Sequence, residues 1–332
     1  MLHLYGWQPH EAEPLAQEVD ELSRGAQLRF HPLRGEWNIY AAHRQDRTHK
    51  PAAAANPLAP SRPGGMPTEI PFENFELAVF DNKFAALHRQ ASDTPDLQGI
   101  EAEPARGACE VVVYAPESEG NLHTIGQDRR RLLVAAWIDR YAALFDAGCA
   151  YVLPFENRGE EVGATLHHPH GQIYGFGKVP LVQQRAVDAF AAGYDLGGEI
   201  AAAAPDYGIA EAGGIAAWCP RYARFPYEVW LAPKPARQGP WDMSAEERDG
   251  LATLLGEVTR RYDKLFGRAT PLMMGLHAAP AGGATGYHFT VQFYPLLRDA
   301  TRVKYLASVE QHSGVFTVDV MPETAARALR DA

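Results

Sequence analysis

An internal repeat is the feature that most constrains this 332-residue chain. Residues 163–174 align without a gap with residues 283–294, and six of the twelve positions are identical. Upstream of each passage lies a run that begins Arg-Tyr and ends Leu-Phe, at 140–145 and at 261–266. The two offsets are 120 and 121 residues. Because two pairs of segments recur in one order at nearly one spacing, we infer a tandem duplication of an αβ module.

Each copy predicts a helix followed by short strands. Apolar residues recur at helical spacing over 133–144 and over 251–265, and Gly148 and Gly267 follow as stop signals. Short runs rich in β-branched and aromatic residues predict strands. They lie at 110–114, 150–155, 227–231 and 289–294. Turns between successive strands indicate antiparallel pairing. The predicted fold class is therefore α+β.

The organisation that we predict has two modules, at 1–195 and 196–332. Two stretches are predicted to be irregular. The segment 50–67 is rich in Ala, Pro and Gly and is expected to form a surface loop, and 201–214 is expected to form a loose connection between the modules.

The most reactive motif lies inside the first repeat, at 166–172, and reads Leu-His-His-Pro-His-Gly-Gln. On a strand, His168, His170 and Gln172 share one face because side chains alternate. A neutral imidazole is a nucleophile toward phosphorus, and a neighbouring amide can hold a phosphoryl oxygen. The competing interpretation is a strand with core histidines or a stray metal pair. The second copy has Thr290 where the first has His170, so the first copy is predicted to be the active one.

Composition narrows the class of protein. The formal charge is −10 with no long basic run, which argues against a nucleic-acid surface. Cys109, Cys149 and Cys219 lack the spacing of a disulfide framework or of a thiolate zinc site. No leader-like start and no long apolar run are seen, so we expect a cytoplasmic protein without a membrane segment.

At this point the chain resembles the galactose-1-phosphate uridylyltransferases, the branch of the histidine-triad superfamily with the sequence His-Pro-His-Gly-Gln. The resemblance extends over roughly 28–325 and rests on further matching segments, at 29–37, 43–47, 80–87, 155–159, 293–295 and 303–306. It implies two histidine-triad-like modules that form an extended antiparallel sheet, a half-barrel, with helices packed on it.

The resemblance also implies a reaction. His170 would attack the α-phosphorus of a UDP-hexose and release hexose 1-phosphate, and a second sugar 1-phosphate would then take the uridylyl group. Gln172 would hold a phosphoryl oxygen. The expected partners are therefore a nucleotide sugar and a sugar 1-phosphate.

The substrate-binding residues implied by the resemblance come from several segments. Asn82 would contact the ribose, and the turn at 163–165 would offer N–H groups to phosphate from Gly163, Ala164 and Thr165. Phosphate and sugar contacts would come from Asn157, Lys304, Tyr305 and Glu310. Arg44 and Arg47 resemble the pair that reaches the diphosphate from a partner subunit, which implies a homodimer with shared sites.

The chain departs from the family at both of its metal sites. Zinc in many members is held by a CxxC pair, a downstream His and the first His of the motif. Here 56–60 reads Asn-Pro-Leu-Ala-Pro, Ser118 takes the downstream position, and His168 alone survives. His277 alone survives of the second set, whose other positions are Ala186, Thr290 and Gln292. We expect no metal and no required cofactor, with His168 bracing the loop that carries His170.

Three alternative functions compete with uridylyl transfer. A phosphorylase or nucleotidyltransferase of the same superfamily, acting on another base or on an unusual sugar phosphate, would also need His170. Ser308, where relatives tend to have Gly, weakens the choice of sugar. A sugar-nucleotide-binding protein without catalysis is disfavoured by the intact motif. A hydrolase is disfavoured because Gln172 cannot act as an acid or base.

Overall fold

A computed structural model describes residues 1–7, 24–46, 56–62, 68–164, 166 and 168–332. Its strands are β1 Leu2–Tyr5, β2 Gln27–His31, β3 Glu36–Tyr40, β4 Leu77–Asp81, β5 Ala102–Pro104, β6 Gly107–Val113, β7 Tyr151–Arg158, β8 His170–Phe176, β9 Gly208–Ala212, β10 Ile215–Trp218, β11 Val229–Pro233, β12 Leu272–His277 and β13 Thr290–Pro295. Its α-helices are α1 Gln127–Asp146, α2 Leu181–Ala191, α3 Leu196–Tyr207, α4 Ala245–Phe266, α5 Ser308–Ser313 and α6 Pro322–Asp331.

Ten strands form one sheet in the order β1-β4-β6-β8-β7-β12-β13-β11-β10-β9. Every neighbouring pair in this sheet is antiparallel. A smaller sheet has the order β3-β2-β5. The extended antiparallel sheet with helices on it confirms the predicted fold class.

The register of the sheet repeats with the sequence. Phe155 of β7 lies opposite Gln172 of β8, and Gly275 of β12 lies opposite Gln292 of β13, an offset of 120 residues on both strands. Across the centre of the sheet, Phe155 pairs with Gly275, its own counterpart in the second copy. A residue that pairs antiparallel with its own duplicate marks a local twofold axis through the sheet. The two copies of the site therefore lie on the same face, related by that axis.

Helices α1 and α4 cover the opposite face. The core there joins apolar residues of both helices to β6, β7, β8, β12 and β13, including Trp137, Tyr141, Leu251, Leu255, Ile173 and Phe293. Helix α4 begins with a capping box between Ser244 and Glu247 and ends at Gly267 in the left-handed conformation, as its sequence predicts. Both helices thus pack on one side of the sheet. His170 and Gln172 lie on the other side.

The prediction of a loose connection at 201–214 is wrong. Helix α3 and strand β9 fill most of it, because Asp195 caps the helix by accepting from the Gly198 N–H and the Ala-rich run favours helix. Ile200 and Ala203 are buried against β10. Of the segment 50–67, the residues 50–55 and 63–67 lie outside the described residues, and 56–62 includes a turn. The boundary at 195/196 stays a prediction.

Among the described residues, no helix combines the length and apolar character needed to span a membrane.

Candidate active site

Strand β8 carries the second half of the histidine motif, and its side chains point alternately to the two faces of the sheet. His170, Gln172 and Tyr174 face away from helices α1 and α4, whereas Gly171 and Ile173 face the helical layer. A Cβ added at Gly171 would overlap the hydroxyl of Tyr114 and lie 2.9 Å from the carbonyl oxygen of Phe155. The motif therefore needs glycine at this position, because Tyr114 and the Phe155 carbonyl pack directly against the strand. A larger residue would displace the strand and with it His170.

His170 is a neutral imidazole, and its Nε2 has no hydrogen-bond partner among the described residues. Its Nδ1 lies 2.7 Å from the carbonyl oxygen of His168. Because a carbonyl oxygen can only accept, Nδ1 carries the proton and Nε2 keeps its lone pair. Burial lowers the pKa of His170, opposed by the hydrogen bond to His168. The side chain is thus prepared as a nucleophile at Nε2.

Gln172 and Asn82 form a second polar group on the same face. Asn82 follows β4, and its Oδ1 accepts from the N–H of Phe84 at 2.9 Å, which fixes the amide in the turn. Its Nδ2 donates to Oε1 of Gln172 at 3.3 Å. The oxygen of the Gln172 amide is thereby engaged, so its Nε2 hydrogens are oriented for an acceptor such as a phosphoryl oxygen.

Arg44 lies against the segment that holds Asn82. Its Nη1 donates to the carbonyl oxygen of Phe84 at 2.5 Å. Burial raises the pKa of Tyr174 to about 12, and the nearby Arg44 cation opposes that rise. The guanidinium thus contacts its own chain, and its reach into a partner's site stays a prediction. Arg47 and Thr165 lie outside the described residues.

Phe155 and Asn157 complete this face from β7. Phe155 packs edge-on against Tyr174, with ring centroids 5.2 Å apart. If the β7–β8 register is continued by two residues, Asn157 falls opposite His170. The sequence prediction included Asn157 but missed Phe155 and Tyr174, although strand alternation from His170 and Gln172 points to both.

Asn56 and His168, at two positions where the family resemblance implies zinc ligands, hydrogen-bond to each other. Asn56 Nδ2 donates to His168 Nδ1 at 2.9 Å, and His168 Nε2 donates to the carbonyl oxygen of Ala115 at 2.6 Å. His168 is 2% exposed, and burial lowers its pKa. Both ring nitrogens are engaged, and the described residues contain no group of three His, Cys, Asp or Glu side chains that could hold a metal. The residues present do not fit a zinc ion.

Gly163 and Ala164 do not present their N–H groups to a phosphate. The N–H of Gly163 donates to the carbonyl of Glu160, and that of Ala164 to the carbonyl of Gly159. The prediction is wrong for these two donors because a 3-10 turn at Glu160–Val162 closes on them. Gly163 serves the turn instead, with a φ of 76° that favours glycine.

Lys304 and Glu310 form a buried ion pair with each other, with Nζ 2.7 Å from Oε1 and side-chain exposures of 3% and 2%. Lys304 also donates to the hydroxyl of Thr317 at 3.0 Å. The hydrogen bond from Lys304 holds the pKa of Glu310 well below its usual range. Tyr305 is 67% exposed. These three residues share one segment, and their contact with substrate stays a prediction.

On the equivalent face of the second copy, the polar side chains bond to one another. Gln292 Nε2 donates to Oγ1 of Thr290 at 3.0 Å, and the hydroxyl of Tyr294 donates to Oε1 of Gln292. Arg224 Nη2 in turn donates to the Tyr294 hydroxyl at 2.8 Å. Burial lowers the pKa of His277 to about 4, with a smaller contribution from Arg224. Thr290 offers no imidazole, and the assignment of catalysis to the first copy stays a prediction.

Comparisons with known proteins agree with this geometry. A galactose-1-phosphate uridylyltransferase of Thermotoga maritima is 35% identical over 92% of this chain and 98% of its own length. The rat enzyme of the same name is 29% identical over 97% of this chain and 92% of its own. A solved uridylyltransferase superposes with a TM-score of 0.81 and 25% identity over 92% of this chain and 97% of its own.

A more distant structure shares the fold. An ADP-glucose phosphorylase from Arabidopsis thaliana superposes with a TM-score of 0.71 at 20% identity, over 92% of this chain and 98% of its own.

The models of the galactose-1-phosphate uridyl transferase N-terminal and C-terminal domains match residues 17–180 and 212–332. The chain therefore belongs to the galactose-1-phosphate uridylyltransferase family of transferases.

Proposed function

We propose that this protein transfers a uridylyl group between UDP-glucose and galactose 1-phosphate through a covalent intermediate on His170. The observation that carries the proposal is the hydrogen bond from His170 Nδ1 to the carbonyl oxygen of His168, which leaves Nε2 as a nucleophile. Family membership supports the choice of UDP-glucose and a sugar 1-phosphate as substrates.

In the first half-reaction, Nε2 of His170 forms a bond to the α-phosphorus of UDP-glucose. The bond from that phosphorus to the bridging oxygen breaks, and glucose 1-phosphate leaves with the electron pair. A phosphate is a stable anionic leaving group, so no proton has to be supplied. The Nδ1 proton stays on His170, where the carbonyl of His168 stabilises the positive charge that develops on the ring.

In the second half-reaction, a phosphate oxygen of galactose 1-phosphate attacks the same phosphorus and the bond to Nε2 breaks. Gln172 supports transfer over hydrolysis, because its amide donates to a phosphoryl oxygen but cannot activate water. Asn82 keeps that amide in place by donating to Oε1.

The same chemistry needs no metal. We propose that the hydrogen bonds from Asn56 to His168 and from His168 to Ala115 replace the family's zinc in bracing the active strand. Elemental analysis of protein purified without chelators is expected to find substoichiometric zinc; one zinc per chain would contradict this.

We further propose a homodimer in the cytoplasm. Tyr305 and Val309 are 67% and 54% exposed, close to the Lys304–Glu310 pair, as expected for a segment that a partner covers. The buried thiols of Cys109, Cys149 and Cys219 are unpaired, as is usual in a reducing compartment. Light scattering is expected to give the mass of two chains; a monomer at working concentration would contradict the shared site.

The experiment for the proposed function is an exchange panel with purified protein. UDP-glucose and ADP-glucose are each tested with galactose 1-phosphate and with inorganic phosphate. Rapid exchange with UDP-glucose and galactose 1-phosphate is expected. Activity confined to ADP-glucose, or to inorganic phosphate as acceptor, would overturn the proposal in favour of a phosphorylase or adenylyltransferase.

A further inference from the structure

We propose that the second copy of the site, which has lost its nucleophile, binds the nucleoside portion of a nucleotide without reacting with it. A cavity of about 650 Å³ lies on the open face of β11, β12 and β13. It lies around Thr290 and Gln292, the counterparts of His170 and Gln172. Taking about 4.8 Å between strands and about 3.4 Å per residue, Thr290 and His170 are about 20 Å apart.

Aromatic side chains form the walls of this cavity. Helix α2 lies along one side, where Phe190 packs against Tyr287 with ring centroids 5.0 Å apart. Tyr222 and Trp230 also line the cavity and meet edge-on, with ring centroids 5.7 Å apart. Aromatic rings grouped in this way are typical of surfaces on which a nucleobase stacks.

The floor of the cavity includes an unused polar group. His277 lines the cavity and has no hydrogen-bond partner among the described residues. A neutral imidazole donates from one nitrogen and accepts at the other, which matches the donor and acceptor edge of a nucleobase. Gly275, the counterpart of Phe155, places no side chain beside His277; a Cβ added there would contact His277 Nε2 at 3.4 Å.

The charges of the cavity favour a nucleoside over a bare anion. Arg224 already donates to Tyr294, and its backbone N–H donates to the buried carboxylate of Glu228 at 2.7 Å. The carboxyl group of Glu228 also lines the cavity, which disfavours a bare anion. Thr290 and Gln292 bind each other, so the donor set around His277 also does not suit a metal.

The proposal is tested by counting uridine binding sites on the full chain by calorimetry. Uridine has no phosphate, so no transfer can occur and the measurement does not depend on the proposed function. We expect Gly275→Phe to remove one uridine site, because a ring at this position would press against His277, whose Nε2 lies 3.4 Å from the added Cβ. We expect Asn82→Ala to leave that site in place. Uridine binding that is the same in Gly275→Phe as in the unaltered protein would overturn the proposal.

A second variant keeps the test decisive if Gly275→Phe does not fold. His277→Leu retains an apolar side chain of similar size and is expected to weaken the same site at least about tenfold, the loss of a buried hydrogen bond. Unchanged affinity in His277→Leu would contradict the proposal. Adenosine, inorganic phosphate and galactose are the competing probes. Displacement by adenosine supports a nucleoside site, and occupation by phosphate or galactose without uridine binding would overturn it.

Discussion

The two copies of the module share a backbone and differ in what they place on its open face. Both have the same strand register, and the side facing α1 and α4 remains apolar in both, with Ile173 in the first copy and Phe293 in the second. On the open face, His170 becomes Thr290. The packed face is constrained by the shared core, whereas the open face can lose a nucleophile without loss of fold. This explains how one duplicated scaffold can hold one reactive site.

The largest expected effect comes from removing the nucleophile. His170→Gly is expected to lower kcat by at least about 10⁴-fold, because Thr290 in the second copy cannot form the intermediate. UDP-glucose binding should be largely retained. Steady-state exchange and calorimetry measure the two quantities. Turnover within tenfold of the unaltered protein would show that His170 of the first copy is not the nucleophile.

The glutamines test whether the equivalent positions have separate roles. Gln172→Ala removes a donor to the phosphoryl oxygen and is expected to lower kcat by about 10²-fold. Gln292→Ala loses only internal hydrogen bonds to Thr290 and Tyr294 and is expected to cost far less. Comparing kcat for both variants decides this, and equal losses would contradict the assignment of catalysis to the first copy.

The glycine of the motif gives a test of packing under the active strand. Gly171→Ala is expected to lower kcat by about 30-fold, since the methyl must displace Tyr114 or shift His170. Its counterpart in the second copy is Val291, fully buried and accommodated there. The variant Val291→Ala is the matched control, expected to cost stability but little rate. An unaffected rate in Gly171→Ala would show that the packing of Tyr114 against the strand does not position His170.

Burial lowers the pKa of a histidine in each copy, and the two can be titrated separately. Burial lowers the pKa of His170, so its neutral, nucleophilic form persists as pH falls below 6.5. The value of kcat/KM for UDP-glucose should therefore stay level from pH 8 to pH 6.5 and fall only in more acidic solution. In an NMR titration, His277 should protonate near pH 4. A rate that falls already between pH 8 and pH 7 would contradict a neutral, buried His170.

The smallest effect is expected at the brace. Asn56→Ala leaves Nδ1 of His168 buried without a partner, which costs about 1–3 kcal/mol of unfolding free energy. We expect a fall of severalfold in kcat, because His168 lies two residues from His170. Thermal unfolding and steady-state kinetics measure both. Unchanged stability and rate would show that the hydrogen bond between Asn56 and His168 does not support the active strand.

The sequence allowed the duplication, the antiparallel sheet and the motif strand to be predicted, because each depends on local periodicity and spacing. The twofold axis through Phe155 and Gly275 could not be predicted, since it depends on pairing between β7 and β12. The contact between Asn56 and His168 joins residues 112 positions apart, so no local pattern announces it. The N–H donors of Gly163 and Ala164 were mispredicted because a tight turn uses them internally.

The most direct test is to identify the covalent intermediate. The protein is incubated with UDP-glucose in the absence of an acceptor, digested at neutral or alkaline pH, and its peptides are analysed by mass spectrometry. We expect one uridylyl group on His170, formed together with an equal amount of glucose 1-phosphate, and none on the peptide that contains Thr290. Exchange that proceeds without an adduct on His170, or with an adduct on another residue, would contradict the account.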